Sequence, residues 1–383
     1  MTIVRFEKIV LSGNTEHKKL VEVEPAEINL DTYQVPPNKI LIKSEAFALN
    51  PADWKSAVFK HGPKGATVGC DVSGTVIKVS PEAADRFKVG DSVSGILRGS
   101  YYPKDVGAFA GYTLLYDYTT INYNKGGLQI AADHNDVIPA GVVQSYEGAA
   151  ATTLSLFTSG IALNNSLGLA SLSPESYKEK KILIWGGATS TGFVAIQLAK
   201  KIFGLTVITV ARSKHHASLK ERGADFTYDY KTENVVDIIR KEHSDIIYGL
   251  DTVSNKETFQ SVYDILANNS HIDNLLFLKA DDIKTDANKN VKFGSTSGYD
   301  IINEEIDATV QITPRQSAVR RDFEDFVNKK ISLQFLQHEL YHPELLLIKD
   351  SFLNSVEEGL DLLRTNKVSG QKVVIRASDV LEK

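Results

Sequence analysis

The chain has 383 residues, 43 of them basic and 48 acidic, for a formal net charge of −5. At roughly 100–200 residues per domain the length implies two or three domains, and the mildly acidic balance argues against a general nucleic-acid binder. A single cysteine, Cys70, excludes an intramolecular disulfide and any site built on several thiolates, such as a four-cysteine zinc lobe or an iron–sulfur cluster.

The N-terminal segment lacks the uninterrupted apolar stretch of a signal peptide, and no run approaches the roughly 18 apolar residues of a membrane span. A cytoplasmic protein with no membrane partner is expected. Short apolar or alternating runs at 4–11, 39–48, 74–80, 92–97 and 112–115 are separated by Pro36-Pro37, Asn50-Pro51, Gly62-Pro63 and Val89-Gly90-Asp91. Such punctuation predicts the irregular strands of a barrel-like or Greek-key β domain. Residues 101–132 show little periodicity and are expected to form a long functional loop, with Tyr101, Tyr102, Tyr112, Tyr116 and Tyr118 around it as wall residues.

Residues 145–167 are rich in Ala, Leu and Thr and read as a helix, with Glu147 in its first turn. Beyond a polar connection, strands and helices alternate. A strand at 182–185 leads through a glycine turn to a helix at 193–203, where Val194, Leu198 and Ile202 recur at helical spacing. Strands at 205–210, 226–230, 246–250 and 273–278 alternate with helices at 216–222, 235–241 and 258–266, and a last helix is expected at 320–331. This spacing predicts an α/β domain with a doubly wound parallel sheet. A short helix at 356–363 and a strand at 372–375 return to the texture of the first third. The expected domains are 1–150, a β-rich catalytic segment; 151–333, the nucleotide-binding domain; and 334–383, which rejoins the first.

The glycine turn reads Gly186-Gly187-Ala188-Thr189-Ser190-Thr191-Gly192. It follows an apolar strand and opens a helix, whose free N–H groups and positive dipole end can hold a pyrophosphate. Small residues let the backbone approach the phosphates, and Gly192 permits tight helix–strand packing. The middle position of G-x-G-x-x-G is Thr189, so Thr189, Ser190 and Thr191 are expected to compensate with hydroxyls. The plain alternative is a structural corner with a hydroxyl N-cap. NAD sites place an acid at the end of the second strand. Here the sequence is Val210-Ala211-Arg212-Ser213-Lys214, with no acid and two cations about a hydroxyl. Arg212 and Lys214 would pair with a 2′-phosphate, and Ser213 would donate to it. Tyr230, at the end of the next strand, would add a hydroxyl or cover the adenine. NADPH is therefore the expected cofactor; a solvated basic turn is the alternative.

Several short motifs in order resemble the medium-chain dehydrogenase/reductase superfamily, in its zinc-independent quinone oxidoreductase and enoyl reductase branch, and most resemble a fungal subgroup related to zeta-crystallin. They are Asn50-Pro51-Ala52-Asp53-Trp54-Lys55, Val68-Gly69-Cys70-Asp71-Val72-Ser73-Gly74, Val89-Gly90-Asp91-Ser92-Val93, Gly107-Ala108-Phe109-Ala110-Gly111-Tyr112, Gly223-Ala224-Asp225 and Gly370-Gln371-Lys372-Val373-Val374. Gly111 departs from the family pattern by replacing the usual acid. The resemblance implies a GroES-like catalytic domain, a Rossmann domain and an active site in the cleft between them. It places Asn50 where zinc-dependent relatives have their first Cys ligand and Cys70 where they have His, so zinc catalysis is not expected.

By position Asn50 is the expected polar contact to nicotinamide or substrate, and Thr158 resembles a hydroxyl position beside the nicotinamide. Asn50 could instead only start an Asn-Pro turn, and Thr158 only pack within a helix. The strand ends at Val253 and Leu278 are expected near the nicotinamide half. No proton donor stands out, and solvent or the cofactor ribose can supply the proton. His338-Glu339-Leu340-Tyr341-His342 fits H-E-x-x-H, but Pro343 disfavours helical geometry at His342; a chance match on a solvated surface is the favoured reading.

The resulting expectation is a zinc-independent, NADPH-dependent reductase of activated alkenes, quinones or aldehydes. Its partners would be the small-molecule substrate and, if it is a homodimer and not a monomer, a second copy through an edge strand at 273–278 or 301–305. Two alternatives stay open. One is a trans-acting enoyl reductase on carrier-bound intermediates, and the other is a cofactor-binding regulatory protein without turnover.

Overall fold

The computed structural model describes residues 2–14, 19–101, 103–169, 174–177, 179–302 and 314–381. The chain divides into two compact units, Met1–Leu154 with Leu336–Lys383, and Ser155–Ile301 with Pro314–Phe335. Tyr102 and most of the 301–305 segment lie outside the described residues.

The first unit opens with β1 (Ile3–Leu11) and β2 (Val21–Asn29), an antiparallel pair in register from Ile3↔Asn29 to Leu11↔Val21. There follow β3 (Lys39–Ala48), α1 (Pro51–Val58), β4 (Asp71–Val79), β5 (Asp91–Ile96), β6 (Tyr112–Tyr116), β7 (Thr120–Lys125), β8 (Val137–Ile138), β9 (Gly141–Val142) and α2 (Tyr146–Ile161). The division between the units falls within α2. β6 matches the run expected at 112–115, and β7 is an additional strand in the segment expected to contain a long loop. The apolar residues of β7 are only Ile121 and Tyr123, too few to mark a strand by pattern alone.

In the second unit β10 (Lys181–Trp185), α3 (Ser190–Lys201), β11 (Thr206–Val210), α4 (His216–Glu221), β12 (Phe226–Tyr228), α5 (Val235–Glu242), β13 (Tyr248–Asp251), α6 (Lys256–Ile265) and β14 (Ser270–Asn274) alternate as expected, and β15 (Val291–Phe293), a strand the sequence pattern does not mark, follows β14 with no α-helix between. The expected strand 273–278 is displaced: β14 ends at Asn274, and Leu278 lies in the loop beyond it. The six strands are all parallel, in the order β12-β11-β10-β13-β14-β15. The order reverses at β10, where β11 lies on one side and β13 on the other, which is where doubly wound sheets bind ligands. The core of this sheet includes Leu183, Ile208, Val210, Ile239, Phe259 and Ile272, all at most 1% exposed. Helix α7 (Pro314–Lys330) packs Phe323 edge-on against Phe157 of α2, with centroids 5.1 Å apart.

Helix α8 (Leu333–His338) leads back to the first unit through β16 (Tyr341–His342), β17 (Glu344–Leu347), α9 (Phe352–Arg364), β18 (Gln371–Arg376) and α10 (Ala377–Val380). The large sheet runs β7-β5-β4-β3-β18-β17-β8, with β6 also paired to β3. Phe47 of β3 stacks on Phe352 of α9 at 5.1 Å and meets Phe109 edge-on at 5.8 Å, filling the core at the sheet's centre. Ala48 on β3 pairs with Asp71 on one side and Val374 on the other. That register brings Asn50, Asp71 and Lys372 to one end of three adjacent strands.

Candidate functional site

At the reversal point of the second unit, the chain leaves β10 at Trp185 and turns through Gly186 at φ +87°, a conformation that favours glycine. A Cβ at Gly187 would lie 2.1 Å from Thr209 Oγ1, and one at Gly192 would lie 2.3 Å from the Gly186 carbonyl oxygen. The tight packing at Gly192 expected from the sequence is therefore present. Thr189 has a different task from the one expected. Its hydroxyl accepts from the Gly192 N–H at 3.0 Å and shares a hydrogen bond with Thr252 Oγ1 at 2.9 Å, so it caps α3 and is not left for a phosphate. The amides of Ser190 and Thr191 begin the helix without intrahelical acceptors and, with Ala188, are partly exposed. Ser159 of α2 donates to the Thr191 carbonyl at 2.9 Å, and Thr158 beside it is 8% exposed.

The second strand ends in an exposed turn, Arg212-Ser213-Lys214. Among the described residues Lys214 has no ion-pair partner. An acid does stand at this turn, contrary to the expectation from the second strand alone. It comes from the neighbouring strand: Asp229 accepts the Ser213 N–H at 2.8 Å and lies 3.6 Å from Arg212 Nε. Its other oxygen accepts the Lys231 N–H at 2.8 Å. These backbone N–H groups, with Arg212 close by, pull its pKa down to about 2. Tyr230 is exposed, its ring flanked by Arg212 at 5.8 Å and Lys231 at 5.7 Å.

Val253 projects from the end of β13 and is 41% exposed. The buried carboxylate of Asp251 holds the turn, accepting from the Val253 and Ser254 N–H groups and from the Thr258 hydroxyl. Burial raises its pKa. Leu278 is half-buried, its N–H donating to Asn274 Oδ1 at 2.9 Å and its carbonyl accepting from Asn274 Nδ2 at 3.0 Å.

A second cluster lies in the first unit, where the sequence supplied motifs and not a site. Asn50 precedes α1, with Pro51 at its first turn, and the Asp53 carboxylate accepts the Asn50 N–H at 2.7 Å. Both ends of the Asn50 carboxamide are engaged: Nδ2 donates to Asp71 at 2.8 Å, and Oδ1 accepts from Lys372 Nζ. Lys372 Nζ also lies 3.5 Å from Asp71, and the Cys70 thiol donates to Asp53 at 2.9 Å. All five side chains are buried. Burial pushes the pKa of Asp53 up to about 7 and also raises that of Asp71, against the opposing pull of Lys372. Lys55, on the same helix, is half-buried; burial lowers its pKa, and its ammonium lies 5.8 Å from the Trp54 ring centre.

The H-E-x-x-H stretch is split. His338 ends α8, whereas His342 lies on β16, so the two imidazoles do not share a helix face. His342 is 3% exposed, which corrects the reading of this stretch as a solvated surface. A Cβ on Gly148 would come within 2.6 Å of its ring.

Two family models match the chain: Alcohol dehydrogenase GroES-like domain over residues 36–125, and Zinc-binding dehydrogenase over residues 191–273. The chain is 36% identical to Uncharacterized protein YNL134C of Saccharomyces cerevisiae, over 88% of this chain and 90% of that one. It is 31% identical to Trans-enoyl reductase ACTTS2 of Alternaria alternata, over 93% and 96%. Among solved structures, an Etr1p mutant in complex with NADP and crotonyl-CoA superposes with a TM-score of 0.67 at 16% identity, over 98% of this chain and 100% of that one. The chain belongs to the medium-chain dehydrogenase/reductase superfamily and is an oxidoreductase of that family.

Zinc does not fit the residues present. Among the described residues no group of three His, Cys, Asp or Glu side chains could hold a metal ion. At Asn50 and Asp71 the partner is already a cation, the Lys372 ammonium. A dinucleotide does fit: the first-turn amides of α3 at Ser190 and Thr191 have no intrahelical acceptor and can meet a pyrophosphate.

Proposed function

We propose that the chain is a zinc-independent, NADPH-dependent reductase of activated alkenes, quinones or aldehydes. The observation that carries this reading is the cradle at the start of α3 together with the exposed Arg212-Ser213-Lys214 turn at the end of the adjacent strand. The first offers amides to a pyrophosphate, and the second offers two cations to a 2′-phosphate. When bound, NADPH supplies the hydride. Ser190 and Thr191 bind its pyrophosphate through their amides, Arg212 and Lys214 pair with the 2′-phosphate, and Val253 and Leu278 line the nicotinamide half. Thr158 contributes a hydroxyl there. Asn50, with both ends of its carboxamide fixed, presents one orientation.

Titration with NADPH and NADH by fluorescence or calorimetry tests the reading. NADPH is expected to bind, and Arg212→Ala with Lys214→Ala to weaken NADPH by at least about tenfold more than NADH. No NADPH binding would sink the proposal, and equal losses would remove the 2′-phosphate assignment. A second reading draws on the Alternaria alternata relative: a trans-acting enoyl reductase on carrier-bound intermediates. Turnover of an enoyl thioester only when it is attached to a carrier, with free enals and quinones untouched, would favour it.

A further inference from the structure

We propose that Asp229 sets the choice between NADPH and NADH by holding Arg212 ready for the 2′-phosphate; the proposal rests on the NADPH reading above. An acid beside a phosphate seat looks unfavourable, and from the second strand alone none is visible. The geometry gives it a different role. One Asp229 oxygen faces Arg212 Nε at 3.6 Å and accepts the Ser213 N–H, while the other accepts the Lys231 N–H. The carboxylate thus stitches the ends of β11 and β12 together and has Nε of the guanidinium 3.6 Å away. Among the described residues Arg212 has no ion-pair partner other than Asp229, so its guanidinium can turn its fork to a phosphate in bidentate fashion.

Charge does not contradict this. The Asp229 side chain is only 15% exposed, and the Lys231 and Ser213 N–H groups point their dipoles at it, which offsets part of its repulsion toward an incoming phosphate. Arg212 remains 47% exposed, and the Tyr230 ring beside it limits its other rotamers. An arginine drawn by charge toward a fixed carboxylate 3.6 Å away loses less freedom when phosphate arrives than one with no partner. Asp229 is therefore a positioning residue whose effect passes through Arg212. It discriminates because NADH offers no phosphate for that arginine to meet.

The test uses the full chain and two probes read by calorimetry, 2′,5′-ADP with the phosphate and 5′-AMP without it. Asp229→Asn is expected to weaken 2′,5′-ADP by about tenfold and 5′-AMP by less than about threefold. In an Arg212→Ala background the same change should cost little more, because the pair acts as a unit. Equal losses for both probes would overturn the proposal, since a mere strut of the turn would weaken both. Unchanged or tighter 2′,5′-ADP binding would overturn it as well, showing that the carboxylate repels. Should Asp229→Asn not fold, Arg212→Lys serves: it keeps the charge but lacks the Nε–H, and retained selectivity for 2′,5′-ADP would overturn the proposal. A wild-type chain that binds both probes alike, and that Arg212→Ala leaves unchanged, would instead defeat the NADPH reading itself.

Discussion

Asp53 and Asp71 are two carboxylates withdrawn from water beside one ammonium, that of Lys372. Removing the ammonium leaves an uncompensated buried charge and an unsatisfied Asn50 oxygen. Lys372→Met is accordingly expected to destabilise the protein by about 3–5 kcal/mol in urea titrations. The raised pKa of Asp53 also has a pH signature. The folded chain holds this proton up to about 7, whereas an unfolded carboxyl releases it near 3.8. The stability it contributes is full below about pH 4, is lost as pH rises through about 7, and is level above. Asp53→Asn keeps the shape and removes the titration. Its unfolding free energy should fall less steeply with rising pH across that window than the wild type's, and identical slopes would show that Asp53 does not hold the proton.

At the scale of the element, the β10–α3 turn is built so tightly that its glycines cannot change. The atom facing a Cβ at Gly192 is the Gly186 carbonyl oxygen, which belongs to the backbone and cannot swing aside. Gly192→Ala should cost about 1–3 kcal/mol and abolish the rise in melting temperature that NADPH gives the wild type. This turn was legible in the sequence because strand, glycines and helix are consecutive. The alternation of helices and strands that follows was legible for the same reason. β2 was not, because its alternating partners are glutamates and it contains Pro25, a residue suited to edge strands. Nor was the extent of β14, since Leu276 and Phe277 continue an apolar run that the Asn274 side chain folds into a loop. The Asn50 cluster was spread over three motifs, with Asn50 and Lys372 separated by 322 positions. Asp229 was hidden because the strand that supplies it is not the strand whose end it supports.

For the whole molecule, the donor set predicts indifference to metals. Purified protein should carry no stoichiometric zinc by elemental analysis, and its turnover should survive a chelator; tightly held zinc at one per chain would contradict the assignment of Lys372 as the buried cation. No helix among the described residues is long and apolar enough to cross a membrane. The largest sheet has a further consequence. Its inner strand β18 lies between β3 and β17, yet it follows every strand of the second unit along the chain. During synthesis on the ribosome, the Ala46–Ala48 end of β3 waits for its β18 partner and Asp71 waits without its cation, while the sheet of the second unit already has all six strands. A nascent chain stalled before residue 371 should therefore resist protease in its second unit and be cut in its first. Vectorial synthesis makes the domain that starts first the domain that finishes last.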